Sequence, residues 1–130
     1  MSESRRSTGK RGRRNVNQTY KDKRILVDMT KIWLDDIRLP PEGWTWVKTS
    51  TEAMLALSTG NVEEISLDHD LGDEEDDTNT GYTVAKFIEK EAYLKRLPKL
   101  KWKIHSANPV GRKNMEAALK NADRYWNFIK

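Results

Sequence analysis

Three short apolar runs in this chain each stop abruptly at ionisable residues: Trp33-Leu34-Asp35-Asp36, Ser66-Leu67-Asp68-His69-Asp70 and Ile104-His105-Ser106-Ala107-Asn108. Few arrangements accommodate that pattern. An apolar run ending in charge reads as a buried parallel strand whose carboxyl end opens onto a site. Ligands bind at that edge of open α/β sheets, so three such ends are expected to converge on one crevice. Carboxylates and imidazoles gathered there favour a metal and phosphate site over a chance surface cluster.

The remaining features are those of one domain. A chain of 130 residues supports a single core. It holds no cysteine, which excludes disulfides, thiolate metal sites and a cysteine nucleophile. No apolar run approaches membrane-spanning length and no apolar signal core follows the basic N-terminus, so a soluble cytoplasmic protein is expected.

The net charge of +4 conceals a split. Residues 1–24 hold nine lysines and arginines against two acids, whereas residues 25–130 hold fifteen against eighteen. The first stretch has too little apolar content to bury and is expected to be a disordered basic arm. It serves either as a solubilising extension or as an electrostatic attractor for nucleic acid.

From residue 25 onward, strands and helices alternate. A first strand is expected over 31–36, with a short extended piece at 25–27 ahead of it. Pro40-Pro41 makes the next segment a rigid loop too short for a crossover helix. A second strand follows at 45–48. Thr49-Ser50-Thr51-Glu52 is a capping-box pattern starting a helix that runs to Ser58 and closes at Gly60. The third strand is expected over 64–68. Gly81 opens a helix with Val84, Phe87, Ile88 and Ala92 on one face. The fourth strand is expected over 102–106. Asn108-Pro109 supplies the N-cap and first-turn proline of a last helix, whose stripe is Met115, Ala118, Leu119, Ala122 and Trp126. The alternation implies an α/β fold with a parallel sheet and right-handed crossovers.

At the strand ends, Asp35, Asp36 and Asp68 offer the hard oxygens that Mg²⁺ or Mn²⁺ prefers, and Asp70 lies within reach of the same set. One aspartate could simply cap a loop; three doing so is a poor account. His69 and His105 are the only histidines, and both fall at strand ends, where an imidazole can move a proton during phosphate chemistry. Either one alone reads equally as a packing residue. Ser106 and Asn108, at a strand-to-helix transition, form a natural phosphate cradle. Arg112, Asn114 and Arg38 are further candidates for phosphate contact. The acidic run 73–77 lacks calcium-loop spacing and reads as a lid or a negative screen. Trp44, beside the Pro-Pro loop, is the tryptophan placed to stack on a base.

These residues resemble a receiver domain of response regulators: Asp35-Asp36 its acidic pair, Asp68 its phosphoacceptor, Gly81 its loop glycine and Ser106-Ala107 its hydroxyl-bearing fourth strand. Two departures stand out. The pattern stops after the fourth strand and its helix, without the fifth strand and its Lys-Pro pair, and the Pro-Pro loop replaces the first crossover helix. The chain is more closely similar to the cyclic-phosphate-processing receiver-like family. The motifs carrying that likeness are Leu34-Asp35-Asp36-Ile37-Arg38 with Pro40-Pro41 and Gly43-Trp44, then Ser66-Leu67-Asp68-His69-Asp70-Leu71-Gly72, Thr80-Gly81-Tyr82, and the run from Ile104 to Met115. The resemblance implies a truncated, flavodoxin-like three-layer sandwich over 25–130, with four parallel strands in the order 2-1-3-4. It also implies processing of a cyclic phosphate, such as the 2′,3′-cyclic ends of cleaved RNA.

In the leading reading Asp35, Asp36, Asp68 and Asp70 hold the cation, or Asp68 acts as nucleophile. His69 and His105 serve as acid and base, and Ser106, Asn108, Asn114, Arg38 and Arg112 hold the phosphate. The rival readings are a non-catalytic nucleotide- or partner-binding module with the basic arm as tether, and a switch phosphorylated on Asp68.

Overall fold

The structure, a computed structural model, describes residues 30–72 and 76–128. The expected basic arm over 1–24, the extended piece at 25–27 and part of the acidic run lie outside the described residues. Seven elements follow in order: β1 (Thr30–Leu34), β2 (Thr45–Val47), α1 (Ser50–Leu57), β3 (Val62–Leu67), α2 (Gly81–Tyr93), β4 (Lys101–Ile104) and α3 (Pro109–Asn127). The strands form one parallel sheet in the order β2-β1-β3-β4, as the resemblance implied.

Local chemistry sets the helix boundaries. Thr49 and Glu52 complete a reciprocal capping box at the start of α1. The Gly60 amide bonds the Leu57 carbonyl at its end, with Gly60 in the left-handed region. Thr80 caps α2 and Asn108 caps α3, whose first position is Pro109. Asp70 and Thr80 form a bridge that closes the loop between β3 and α2. The far end of that loop is tied to α1 by Ser50, whose amide donates to Asn79 and whose hydroxyl donates to the Thr78 carbonyl.

β1 and β4 alternate, whereas β3, beyond a register shift against β1, buries Ile65, Ser66 and Leu67 in succession. Ile32, Leu34, Ile65 and Leu67 are buried against the helices, packed with Leu57, Val84, Ile88, Met115 and Leu119. The steps from β2 to β3 and from β3 to β4 go the same way across the sheet, so right-handed crossovers place α1 and α2 on one face. α1 packs on α2, and α2 on α3. Among the described residues the sandwich therefore has its helices on one side of the sheet. The step from β1 back to β2 would carry a helix over the opposite face, and it is made instead by the Pro40-Pro41 loop. That second face consists of two rows, Lys31-Glu64-Lys101 and Trp46-Trp33-Ser66-Lys103, each in register across the sheet.

The strands end one or two residues earlier than expected. Asp35, Asp68 and His105 stand just beyond the last paired residues, Leu34, Leu67 and Ile104, because the aspartates turn to bond nearby amides. No helix among the described residues is long and apolar enough to cross a membrane.

Candidate phosphate and metal site

The three strand ends do meet. Asp35, Asp36, Ile37, Arg38, Asp68, Asp70, Gly72 and Ala107 line one cavity of about 310 Å³ at the carboxyl edge of the sheet. One oxygen each from Asp35, Asp36 and Asp68 lies within 4.8 Å of the others. The three carboxylates are nevertheless in different chemical situations.

Asp35 is 0% exposed and fully engaged. Its Oδ1 accepts from the amides of Ile37 and Arg38, both at 2.8 Å. Its Oδ2 accepts from Arg38 Nη1 at 3.1 Å and His105 Nε2 at 3.0 Å. Four donors use the roughly four lone-pair sites of a carboxylate. Burial alone would push this carboxyl up, but the two amides, then Arg38 and His105, outweigh it and hold the group below its ordinary range. Asp35 stays ionised and is saturated.

Asp68 is the opposite case. It is buried, its Oδ1 accepts among the described residues only the His69 amide at 2.9 Å, and its Oδ2 lies 3.5 Å from Arg38 Nη1. Burial and then the charge of Asp35 push its carboxyl above the ordinary range, against the opposing pull of the His69 amide, His105 and Arg38. A buried carboxylate with spare lone pairs and a like charge beside it attracts a cation. Asp36, partly exposed, is held close to Gly72, where a Cβ would meet its Oδ2 at 2.7 Å. Gly72 also has a φ of +93°, so both backbone and space call for glycine there. The oxygen donors of Asp36 and Asp68 fit Mg²⁺ or Mn²⁺. Asp35 could join them only by giving up a hydrogen bond.

The two histidines differ as well. His105 is clamped: Nε2 donates to Asp35, Nδ1 lies 2.8 Å from Ser66 Oγ, and the ring stacks on Trp33 at 3.8 Å and 6°. Asp35 as acceptor fixes the proton on Nε2, so Nδ1 accepts from the Ser66 hydroxyl. Burial pushes His105 below its ordinary value, against the raising pull of Asp35. His69 uses only Nδ1, which lies 2.9 Å from Asp70 Oδ1, and among the described residues its Nε2 bonds no protein group. Its ring packs on the first turn of α3, where a Cβ on Gly111 would fall 2.4 Å from the ring carbons.

The remaining candidates divide in the same way. Arg38, with a side chain 54% exposed, bridges Asp35 and Asp68 across the cavity. Asp70 lines the cavity outside the three-aspartate cluster, held by His69 and by Asn108 Nδ2 at 3.3 Å, and its carboxyl is lowered chiefly by the His69 bond. Asn108 also caps α3, accepting the Gly111 amide, and its own amide donates to Ser106 Oγ at 3.0 Å. Arg112 donates to the carbonyls of Ile104 and Ser106, which ties β4 to α3. Asn114 is exposed on α3, and like His69, His105, Ser106, Asn108 and Arg112 it is not among the cavity's lining residues. Sequence reasoning missed Ser66 and Trp33 as supports of His105, and Trp46, whose Nε1 donates to the Asp35 carbonyl at 2.7 Å. The available signal was strand parity, which puts Trp33, Trp46 and Ser66 in one row leading to the site.

A four-stranded parallel α/β sheet with an acidic cluster at its carboxyl edge defines the class as a receiver-like domain. The model of one family, described as the cyclic-phosphate processing receiver domain, matches residues 30–121. The chain belongs to that family, whose name refers to cyclic-phosphate processing. No curated protein and no solved structure matches the chain.

Proposed function

We propose that this protein is a metal-assisted phosphoesterase that opens a cyclic phosphate, of the kind carried at the 2′,3′-cyclic ends of cleaved RNA. The observation that carries the reading is the contrast between saturated Asp35 and under-coordinated Asp68 in one cavity.

In the reaction, a water oxygen bonds phosphorus while one ring P–O ester bond breaks, leaving a phosphomonoester and a free hydroxyl. Asp68 takes the proton of the attacking water through the lone pairs that a cation would leave it. His69, oriented through Nδ1 by Asp70, gives a proton to the departing oxygen from Nε2. Asp36 and Asp68 would hold Mg²⁺ or Mn²⁺, which when bound supplies positive charge against the phosphate oxygens. Arg38 is free enough to turn from the carboxylates onto the phosphate, and Ala107, two residues before α3, brings the positive end of that helix to the cavity. His105 acts as a positioning residue for Asp35.

A second reading is a non-catalytic nucleotide-binding module. It draws on Arg38, which already spans Asp35 and Asp68 as a built-in counter-charge. Purified protein with Mg²⁺ or Mn²⁺, assayed on 2′,3′-cyclic, 3′,5′-cyclic and linear phosphates, separates the two. Turnover of one cyclic class is expected, and binding without turnover would establish the module. Alkali- and hydroxylamine-labile acyl-phosphate labelling of Asp68 would instead point to nucleophilic catalysis or to a phosphorylation switch.

A further inference from the structure

Among the described residues no helix covers the second face of the sheet, which is aromatic and cationic rather than aliphatic. Its second row carries Trp46, Trp33 and Lys103, and its first carries Lys31 and Lys101. The three tryptophans Trp33, Trp44 and Trp46 are only partly buried there. Trp44 reaches in from the β1–β2 loop, edge-on to Trp33 at 6.0 Å, with Lys31 and Lys103 Nζ 5.8 and 5.6 Å from its ring. Lys48 sits 4.5 Å over Trp46. A buried third layer would be aliphatic and free of lysine; this one alternates π-faces with cations.

Parity adds a direction. One step beyond the Trp46-Trp33-Ser66-Lys103 row stand Asp35, Asp68 and His105, and the Trp33–His105 stack joins that row to the phosphate cavity. We propose that this face binds single-stranded nucleic acid, with bases on the tryptophans, phosphates on Lys31, Lys101 and Lys103, and the strand's terminus directed to the cavity. Charge complementarity favours this occupant. Among the described residues, Lys31, Lys48, Lys101 and Lys103 on and beside the face meet two acids, Glu63 and Glu64, and the ion pair of Glu64 with Lys103 is a loose 3.4 Å. An aromatic and cationic sheet face suits single strands, because every base offers a π-face and every linkage a charge.

The claim deepens the phosphoesterase reading, and its test stands apart from that reading. The probes are labelled eight-nucleotide RNA and DNA strands ending in plain hydroxyls, so binding needs neither metal nor turnover. Full-length protein is titrated by anisotropy and by quenching of tryptophan fluorescence across a salt series. The expected result is saturable quenching, with Lys101→Glu/Lys103→Glu weakening binding at least about tenfold and flattening the salt slope by about 1.4, for two lost phosphate contacts. Trp44→Ala is expected to weaken binding about fivefold or more. Both variants should retain the wild-type melting temperature to within a few degrees and hydrolyse a small cyclic nucleotide as wild type does. A preference for RNA over DNA would identify the 2′-hydroxyl as a contact. Unchanged affinity and slope in the lysine variant, equal binding of duplex, or a dimer in sedimentation that Trp44→Ala dissolves would overturn the proposal.

Discussion

Asp35 and Asp68 are neighbours of identical chemistry whose surroundings give them different work. Four donors make Asp35 a keystone of the loop that follows β1, whereas Asp68 keeps lone pairs and an elevated carboxyl. Coordination therefore falls to Asp36 and Asp68. Asp36→Asn is expected to weaken Mn²⁺ binding by at least about tenfold in titration calorimetry, with excess metal partly restoring activity. Wild-type affinity in that variant would remove Asp36 from the ligand set. His105 supplies a prediction about pH. Its folded-state value lies below 6.5, so as pH falls through that value the unfolded chain takes up the proton first. Stability then drops with falling pH, and His105→Gln is expected to flatten the melting-temperature slope between about pH 7.5 and 5.5. Parallel slopes in the two proteins would contradict the buried, neutral imidazole.

At the scale of elements, the fold was largely legible in the chain. Pro40-Pro41, the Thr49–Glu52 capping box and Asn108-Pro109 are local signals, and each acts through its own backbone. The site was legible as a set of residues, because strand ends converge by topology. The division of roles was not, since it depends on partners far apart in sequence: His105 meets Asp35 across 70 positions and Ser66 across 39. Arg112 shows the same limit, as a helix-start arginine is expected at phosphate and here braces β4. Asn108 joins both levels, capping α3 while holding Asp70. Asn108→Ala is expected to lower unfolding free energy by about 1 kcal/mol in chemical denaturation. Turnover should fall by more than that loss of fold explains, because the Asp70–His69 pair loses its brace. Loss of stability with turnover intact would confine Asn108 to capping.

For the whole molecule, one helical layer covers one face of the sheet, and the cavity sits where the strands end. The basic stretch over 1–24 adds charge that such a domain can use to gather polyanions. Its removal is expected to weaken RNA binding and flatten the salt dependence while leaving hydrolysis of a small cyclic nucleotide nearly unchanged. Equal salt slopes with and without it would assign the contact elsewhere. The central claim is that Asp68 and His69 open a cyclic phosphate, and ³¹P NMR of a 2′,3′-cyclic nucleotide with Mg²⁺ tests it most directly. Wild-type protein is predicted to convert the cyclic resonance into a single phosphomonoester, with Asp68→Asn and His69→Ala slower by roughly two to four orders of magnitude. A cyclic resonance that shifts on binding but never converts, or full turnover in both variants, would contradict it.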